Sequence, residues 1–143
     1  MTQDETYLAN SINAFVRTAH TASETSGWWQ DPETGLDLKR VVRSPQTTIE
    51  ALIAKLLVPT KLCLTHSELS EGMEGFRKGR QDDKLPHRRM LEVELADTMI
   101  RIADLAGALG MDLGGAISEK MAFNAQRADH KLDNRRAEGG KSF

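Results

Sequence analysis

Two short acidic pairs, Glu68-Leu69-Ser70-Glu71 and Glu94-Leu95-Ala96-Asp97, constrain this chain more than any other feature, because each interrupts a stretch whose apolar residues recur at helical spacing. Residues three apart share a helix face. Each stretch therefore presents two carboxylates side by side, and two such helices packed together can converge four on one spot. Four anions near a core repel one another and lose hydration, so the arrangement calls for a cation. An all-oxygen donor set without thiolate suits Mg²⁺, with Mn²⁺ as the alternative, and Mg²⁺ characteristically acts on phosphates.

The rest of the chain favours helices. Aromatic residues are few, β-branched residues form no alternating runs, and Ala, Leu, Glu, Arg and Met dominate, which predicts an all-α fold. With 143 residues, 39% of them hydrophobic, the chain is long enough to bury a core as a single domain over 1–143. A formal charge of -2 supplies no basic excess to neutralise a nucleic-acid backbone, so polymeric nucleic acid is not an expected partner. A single nucleotide remains compatible with that charge. Cys63 is the lone cysteine, so no intrachain disulfide forms, and the N-terminus lacks the basic start and apolar run of a signal peptide. No segment reaches the roughly 20 apolar residues of a membrane span. Together these point to a cytoplasmic protein without a membrane partner.

Along the chain, Asp4 is the expected cap of a first helix through Leu8, Ile12, Phe15, Val16 and Ala19, ending before Gly27. Gly27 to Ser44 has no sustained period and reads as a long connection, so 1–44 is a helix and a loop. From Pro45 to about Lys78, Ile49, Leu52, Ile53, Leu56, Leu57, Leu62, Leu69, Met73 and Phe76 describe a helix that Pro59 kinks or divides. Pro86 suits the first turn of a third helix reaching Leu109, with Leu91, Leu95, Met99, Ile102, Ala103, Ala106 and Leu109 apolar, and Glu94, Asp97, Arg101 and Asp104 as a polar stripe. Gly110 ends it, and Asp112 caps a fourth helix on which Lys120, Asn124 and Arg127 share a face. The helical core thus covers 45–127, and 128–143 forms a polar tail.

Counting acidic pairs proves nothing, because chance alone supplies roughly three at this acidic content. Their placement on strongly periodic helices is the informative part, set against the plain alternative of a solvated face. Glu74, three residues after Glu71, supports the same cluster or faces water. Of Trp28 and Trp29, at most one is expected to serve as a stacking platform for a base, the other packing into a core or interface. Other site types fit poorly. The residues three before His20, His66, His87 and His130 are Arg17, Cys63, Lys84 and Arg127, so the Glu-x-x-His of di-iron bundles is missing. A zinc site built on Cys63 would lack the set of closely spaced Cys or His residues such sites use, so Cys63 reads as a small core residue, and no Gly-rich phosphate loop ending in Lys-Ser or Lys-Thr occurs.

The acidic pairs together with Glu92-Val93-Glu94-Leu95-Ala96-Asp97-Thr98-Met99-Ile100-Arg101-Ile102, Asp104-Leu105-Ala106, Gly110-Met111-Asp112-Leu113 and Lys120-Met121-Ala122-Phe123-Asn124-Ala125-Gln126-Arg127 resemble the MazG-like branch of the all-α nucleotide pyrophosphohydrolases. The resemblance covers roughly half the chain, from about His66 to a tail similar to those of phage-type members. It implies a four-helix MazG-like bundle, assembled as a homodimer or homotetramer in a bacterial or phage-infected cell. The implied activity is hydrolysis of a nucleoside triphosphate to a monophosphate and pyrophosphate, with dGTP- or dCTP-type deoxynucleotides as substrates. Glu68, Glu71, Glu94 and Asp97 would hold Mg²⁺, with Glu71 and Glu68 as the catalytic carboxylates and Glu71 also orienting or deprotonating water. Lys120, Asn124 and Arg127 resemble substrate contacts, Lys131 and Lys141 are phosphate contacts if the tail folds over, and Trp28 would stack on the base. Phosphoribosyl-ATP cleavage is a related reading that the third helix and tail fit less well. Two other classes remain open: a nucleotide-binding regulator without turnover, and a helical interaction module whose acidic stripes meet a basic partner.

Overall fold

A computed structural model describes residues 2–140, and among these the chain is all-helical. The helices are α1 (Gln3–Thr25), α2 (Leu38–Arg43), α3 (Thr48–Lys78), α4 (Met90–Leu109), α5 (Leu113–Gln126) and α6 (Leu132–Arg136), with a 3₁₀ turn at Ala128–His130. Isolated bridges at Gln30–Asp37 and Gln81–Arg89 are the strand-like pairings among the described residues. No helix among them is long and apolar enough to cross a membrane. Lys141 lies outside the described residues.

Two compact units are present, one made of residues 14–111 and the other of residues up to 13 with those from 112 onward. In the larger unit the dominant packing is between α3 and α4, which run antiparallel: Gly75 meets Met90, Gly72 meets Leu91 and Glu94, and Glu68 meets Arg101. A Cβ on Gly75 would lie 2.7 Å from Met90 Cβ, and one on Gly72 would lie 3.2 Å from Glu94 Cβ. These glycines let the two backbones approach closely beside the acidic residues. Trp29, Leu105 and Ala108 form the buried core, with Leu38, Val42, Leu57 and Leu109 packed on it.

Several helix ends differ from expectation. Thr2 rather than Asp4 caps α1: its hydroxyl accepts from Glu5 N at 3.2 Å while Glu5 Oε2 accepts from Thr2 N at 2.6 Å, a reciprocal capping box. The connection 27–44 contains α2, started by Asp37, whose carboxylate accepts from Arg40 N at 2.8 Å. Six residues are too few to display a helical period. Arg43 ties α2 to the end of α4, donating to the carbonyls of Ala108 and Gly107 at 2.5 and 2.7 Å, in the last turn where helix acceptors run short of intrahelical donors. Helix α3 starts at Thr48 behind its cap Thr47 and continues through Pro59 to Lys78, because proline removes a single ladder donor from a helix of 31 residues. Pro86 is not in α4. It occupies the second position of a turn closed by Arg88 N to Leu85 O at 2.8 Å, where its fixed φ is equally at home, and α4 begins at Met90. Gly110 does end α4, with a φ of 69°.

The faces of α3 and α4 also differ from the apolar pattern. The buried positions of α3 are Thr65, Glu68, Gly72 and Gly75, and those of α4 include Glu94, Thr98, Ala103 and Asp104. Leu62, Leu69, Met73, Phe76, Leu95, Met99 and Ile102 are exposed. Polar and small residues thus occupy the helix interface, and the apolar stripe faces outward.

In the smaller unit, the first half of α1 packs against α5. Asp112 caps α5 as its position predicts, accepting from Gly115 N at 2.9 Å and from Asn13 Nδ2 at 2.7 Å. Asn13 in turn accepts from Gly114 N at 2.9 Å, and Ser118 is buried with its hydroxyl donating to Glu5 O. Within 128–140, part of the expected polar tail 128–143, the chain forms the 3₁₀ turn and α6.

Candidate metal centre

The close approach at Gly72 and Gly75 brings one carboxylate of α3 and two of α4 together. One oxygen each from Glu68, Glu94 and Asp97 lie within 4.8 Å of one another, so these three residues could hold a metal ion. Glu68 and Glu94 are buried, and Asp97 is exposed. The donor set is all oxygen, anionic and partly dehydrated, which suits a hard divalent cation. Electrostatics point the same way. Burial, a hydrogen bond with Glu68 and the charges of Glu71, Glu68 and Asp97 push the Glu94 carboxyl up to about 7, so the cluster resists carrying its full negative charge without a cation.

Glu71 stands beside this group rather than within it. It is exposed and lines, with Glu68, Glu94 and Asp97, a cavity of about 740 Å³. Glu74 is taken by its own helix, pairing with Arg77 at 2.7 Å and with Lys78, which hold its carboxyl below the usual range.

The α3–α4 connection also lines the cavity, including Arg80 and Lys84. Asp82 shapes that connection: it is buried, and its carboxylate accepts from the backbone N–H groups of Lys84 and Leu85 at 3.0 and 2.6 Å. Arg101 borders the cavity too and reaches Glu68, with Nε and Nη2 each 2.5 Å from Oε1. Arg101 and Asp97 also line a second cavity of about 520 Å³, together with Ser23, Ser26, Trp28 and Lys61.

The two tryptophans divide. Trp29 is 4% exposed, and its indole donates to Asp104 at 2.7 Å; Trp28 is 70% exposed on the second cavity. Asp104 therefore leaves the polar stripe for a buried network, with His20 Nδ1 2.8 Å away and the His20 ring edge-on to Trp29. Lys61 lies 4.4 Å above the Trp29 ring, half-buried, and that burial pulls its ammonium below the usual lysine range. Cys63, expected in a core, is exposed because its position on α3 faces away from α4. Spacing does not single out Arg80, Lys84 or Lys61, and it places Arg101 only on the polar stripe: their roles depend on which helix or loop they meet.

The remaining predicted substrate residues belong to the smaller unit. Lys120 sits over the Phe123 ring at 4.8 Å, Arg127 forks onto Asp129 at 2.9 and 2.6 Å, and Lys131 donates to Ala125 O at 2.7 Å. The buried Oδ1 of Asn124 has no hydrogen-bond partner among the described residues. Comparison with protein-family models finds no match, and comparisons with curated proteins and with solved structures find no significant one. The resemblance to the MazG-like branch therefore stands on the quoted motifs and is weighed against the site itself.

Proposed function

We propose that this chain is a MazG-like nucleoside triphosphate pyrophosphohydrolase that uses Mg²⁺, or Mn²⁺ in its place, and works as a homodimer or homotetramer. The observation that carries the reading is the convergence of Glu68, Glu94 and Asp97 in the lining of a cavity that Glu71 also lines. Held there, a divalent cation would offset charge on the phosphate oxygens and make water more acidic. Glu71, exposed beside the ligands, is the carboxylate placed to orient that water and accept its proton. Arg80 and Lys84 supply cationic charge along the cavity wall for the phosphate chain. The second cavity, which shares Asp97 and Arg101 with the first, gives the nucleoside a place, with the Trp28 ring as its stacking surface. The reaction consumes water and a (d)NTP, dGTP and dCTP being the first candidates, and yields (d)NMP and pyrophosphate.

Substrate contacts by Lys120, Asn124, Arg127 and Lys131, all in the smaller unit, rest on the resemblance alone. Arg127 and Lys131 would have to exchange Asp129 and the Ala125 carbonyl for a phosphate. The outward apolar stripe of α3 and α4 supports assembly with further copies, and burying it there would repay its exposure.

Pyrophosphate release from a panel of ribo- and deoxyribonucleoside triphosphates, with Mg²⁺ or with chelator, tests the reading. Metal-dependent release should fall at least about tenfold in Glu71→Gln. Nucleotide binding without release would make the chain a regulator, and no binding would make it an interaction module.

A further inference from the structure

Arg101 follows Asp97 by one turn of α4 and directs two N–H groups at one oxygen of the buried Glu68. The Arg101 side chain is 41% exposed and that of Glu68 only 9%, so the guanidinium covers the carboxylate from the solvent side. A divalent cation would draw on the same Glu68 carboxylate, and two cations held on one carboxylate repel strongly at this range. Arg101 borders both cavities, so a small rotation of its long side chain would carry the guanidinium off Glu68 without leaving the site. Its planar fork of donors matches a phosphate as well as it matches a carboxylate.

We propose that Arg101 is a displaceable counter-cation: it neutralises Glu68 until a divalent cation takes that carboxylate, and then turns its guanidinium to the phosphate chain of the substrate. For its substrate this rests on the pyrophosphohydrolase reading. The exchange couples the two ligands, since metal uptake liberates a phosphate-binding group and phosphate capture removes a competitor of the metal. By linkage, each ligand then tightens the other.

Calorimetric titration of the full chain with Mn²⁺ alone, and then with an α,β-methylene deoxynucleoside triphosphate in Mg²⁺, separates the two halves of the exchange. Compared with the native protein, Arg101→Gln is expected to bind Mn²⁺ about fivefold more tightly, because a competitor is gone. The same variant should bind the analogue about tenfold more weakly. Arg101→Lys keeps the charge without the fork and should fall between in both titrations; it carries the test alone if the Gln variant does not fold. Unchanged or weaker Mn²⁺ binding in the variants, with normal binding by the native chain, overturns the exchange and leaves the metal centre standing. Tighter Mn²⁺ binding with undiminished analogue binding overturns it as well. A native chain that binds no Mn²⁺ defeats the metal-centre reading itself, and Arg101 is then a structural partner of Glu68.

Discussion

Glu94 is buried among other carboxylates, and its proton is the clearest electrostatic consequence of the site. Its carboxyl is pushed up to about 7, mainly by burial, so the folded chain holds that proton more tightly than the unfolded chain does. The associated stabilisation is complete below the ordinary value of 4.5 and is lost as pH rises through about 7. Glu50 behaves oppositely. The Arg40 fork lowers its carboxyl to about 2, so its contribution is present above 4.5 and disappears only in strong acid. Between pH 6 and 8 the Glu94 contribution therefore changes while that of Glu50 does not. Chelator-treated protein should melt at a lower temperature at pH 8 than at pH 6, and Glu94→Gln should flatten that difference; an equal slope in the variant would assign it to other groups. Spacing alone placed Glu68, Glu94 and Asp97 as candidates, because three-residue steps mark a helix face. Spacing could not reveal that Asp104, in the same stripe, turns to His20 and Trp29, nor that Arg101 meets Glu68. Both depend on the register between helices, which no local pattern encodes.

At the scale of elements, the same register depends on two residues that carry no chemistry. A Cβ at position 75 would meet the Cβ, Cγ and Sδ of Met90 at 2.7 to 2.8 Å, close to the Met90 backbone, so α3 and α4 would have to separate. Gly75→Ala gains about 1 kcal/mol of helix propensity but incurs about 1–3 kcal/mol of overpacking, and net destabilisation is expected by urea unfolding. Gly72→Ala crowds Glu94 Cβ at 3.2 Å, a smaller shift that moves a candidate ligand directly. Its stability should change little while Mn²⁺ affinity falls about fivefold or more. Unaltered metal binding in Gly72→Ala would show that the carboxylates tolerate a wider helix spacing. The long helices were legible from their period, and Asp112 and Gly110 from their capping chemistry. What escaped was α2, too short for a period, and the identity of the inward face. Apolar periodicity marks the apolar side of a helix, and in α3 and α4 that side is not the one that faces the neighbouring helix.

At the scale of the whole molecule, that outward stripe lies exposed. Met73 and Phe76 on α3 are 68% and 71% exposed, and Leu69, Leu95 and Met99 continue the surface across the α3–α4 pair, around an apolar groove of about 260 Å³. The buried side of the same helices is spent on Glu68, Glu94, Thr98 and Asp104. A chain that places carboxylates at its helix interface gives up apolar burial there, and an outward stripe of Leu, Met and Phe recovers it if a second copy covers the stripe. Obligate homo-oligomer interfaces have this character, with an apolar centre and few charges. The groove also lies against Glu68 and Glu94, so a copy seated on it would keep water from the back of the carboxylate cluster. Met73→Glu combined with Phe76→Glu places two charges in the centre of the stripe without replacing any of the carboxylates. Light scattering coupled to size exclusion should show the native chain as a dimer or tetramer and the double variant shifted toward monomer, with lower thermal stability and reduced Mn²⁺ affinity. A native chain that stays monomeric at high concentration would leave the stripe unburied and remove assembly from the proposed function, while the carboxylate site would still have to be judged on metal binding alone.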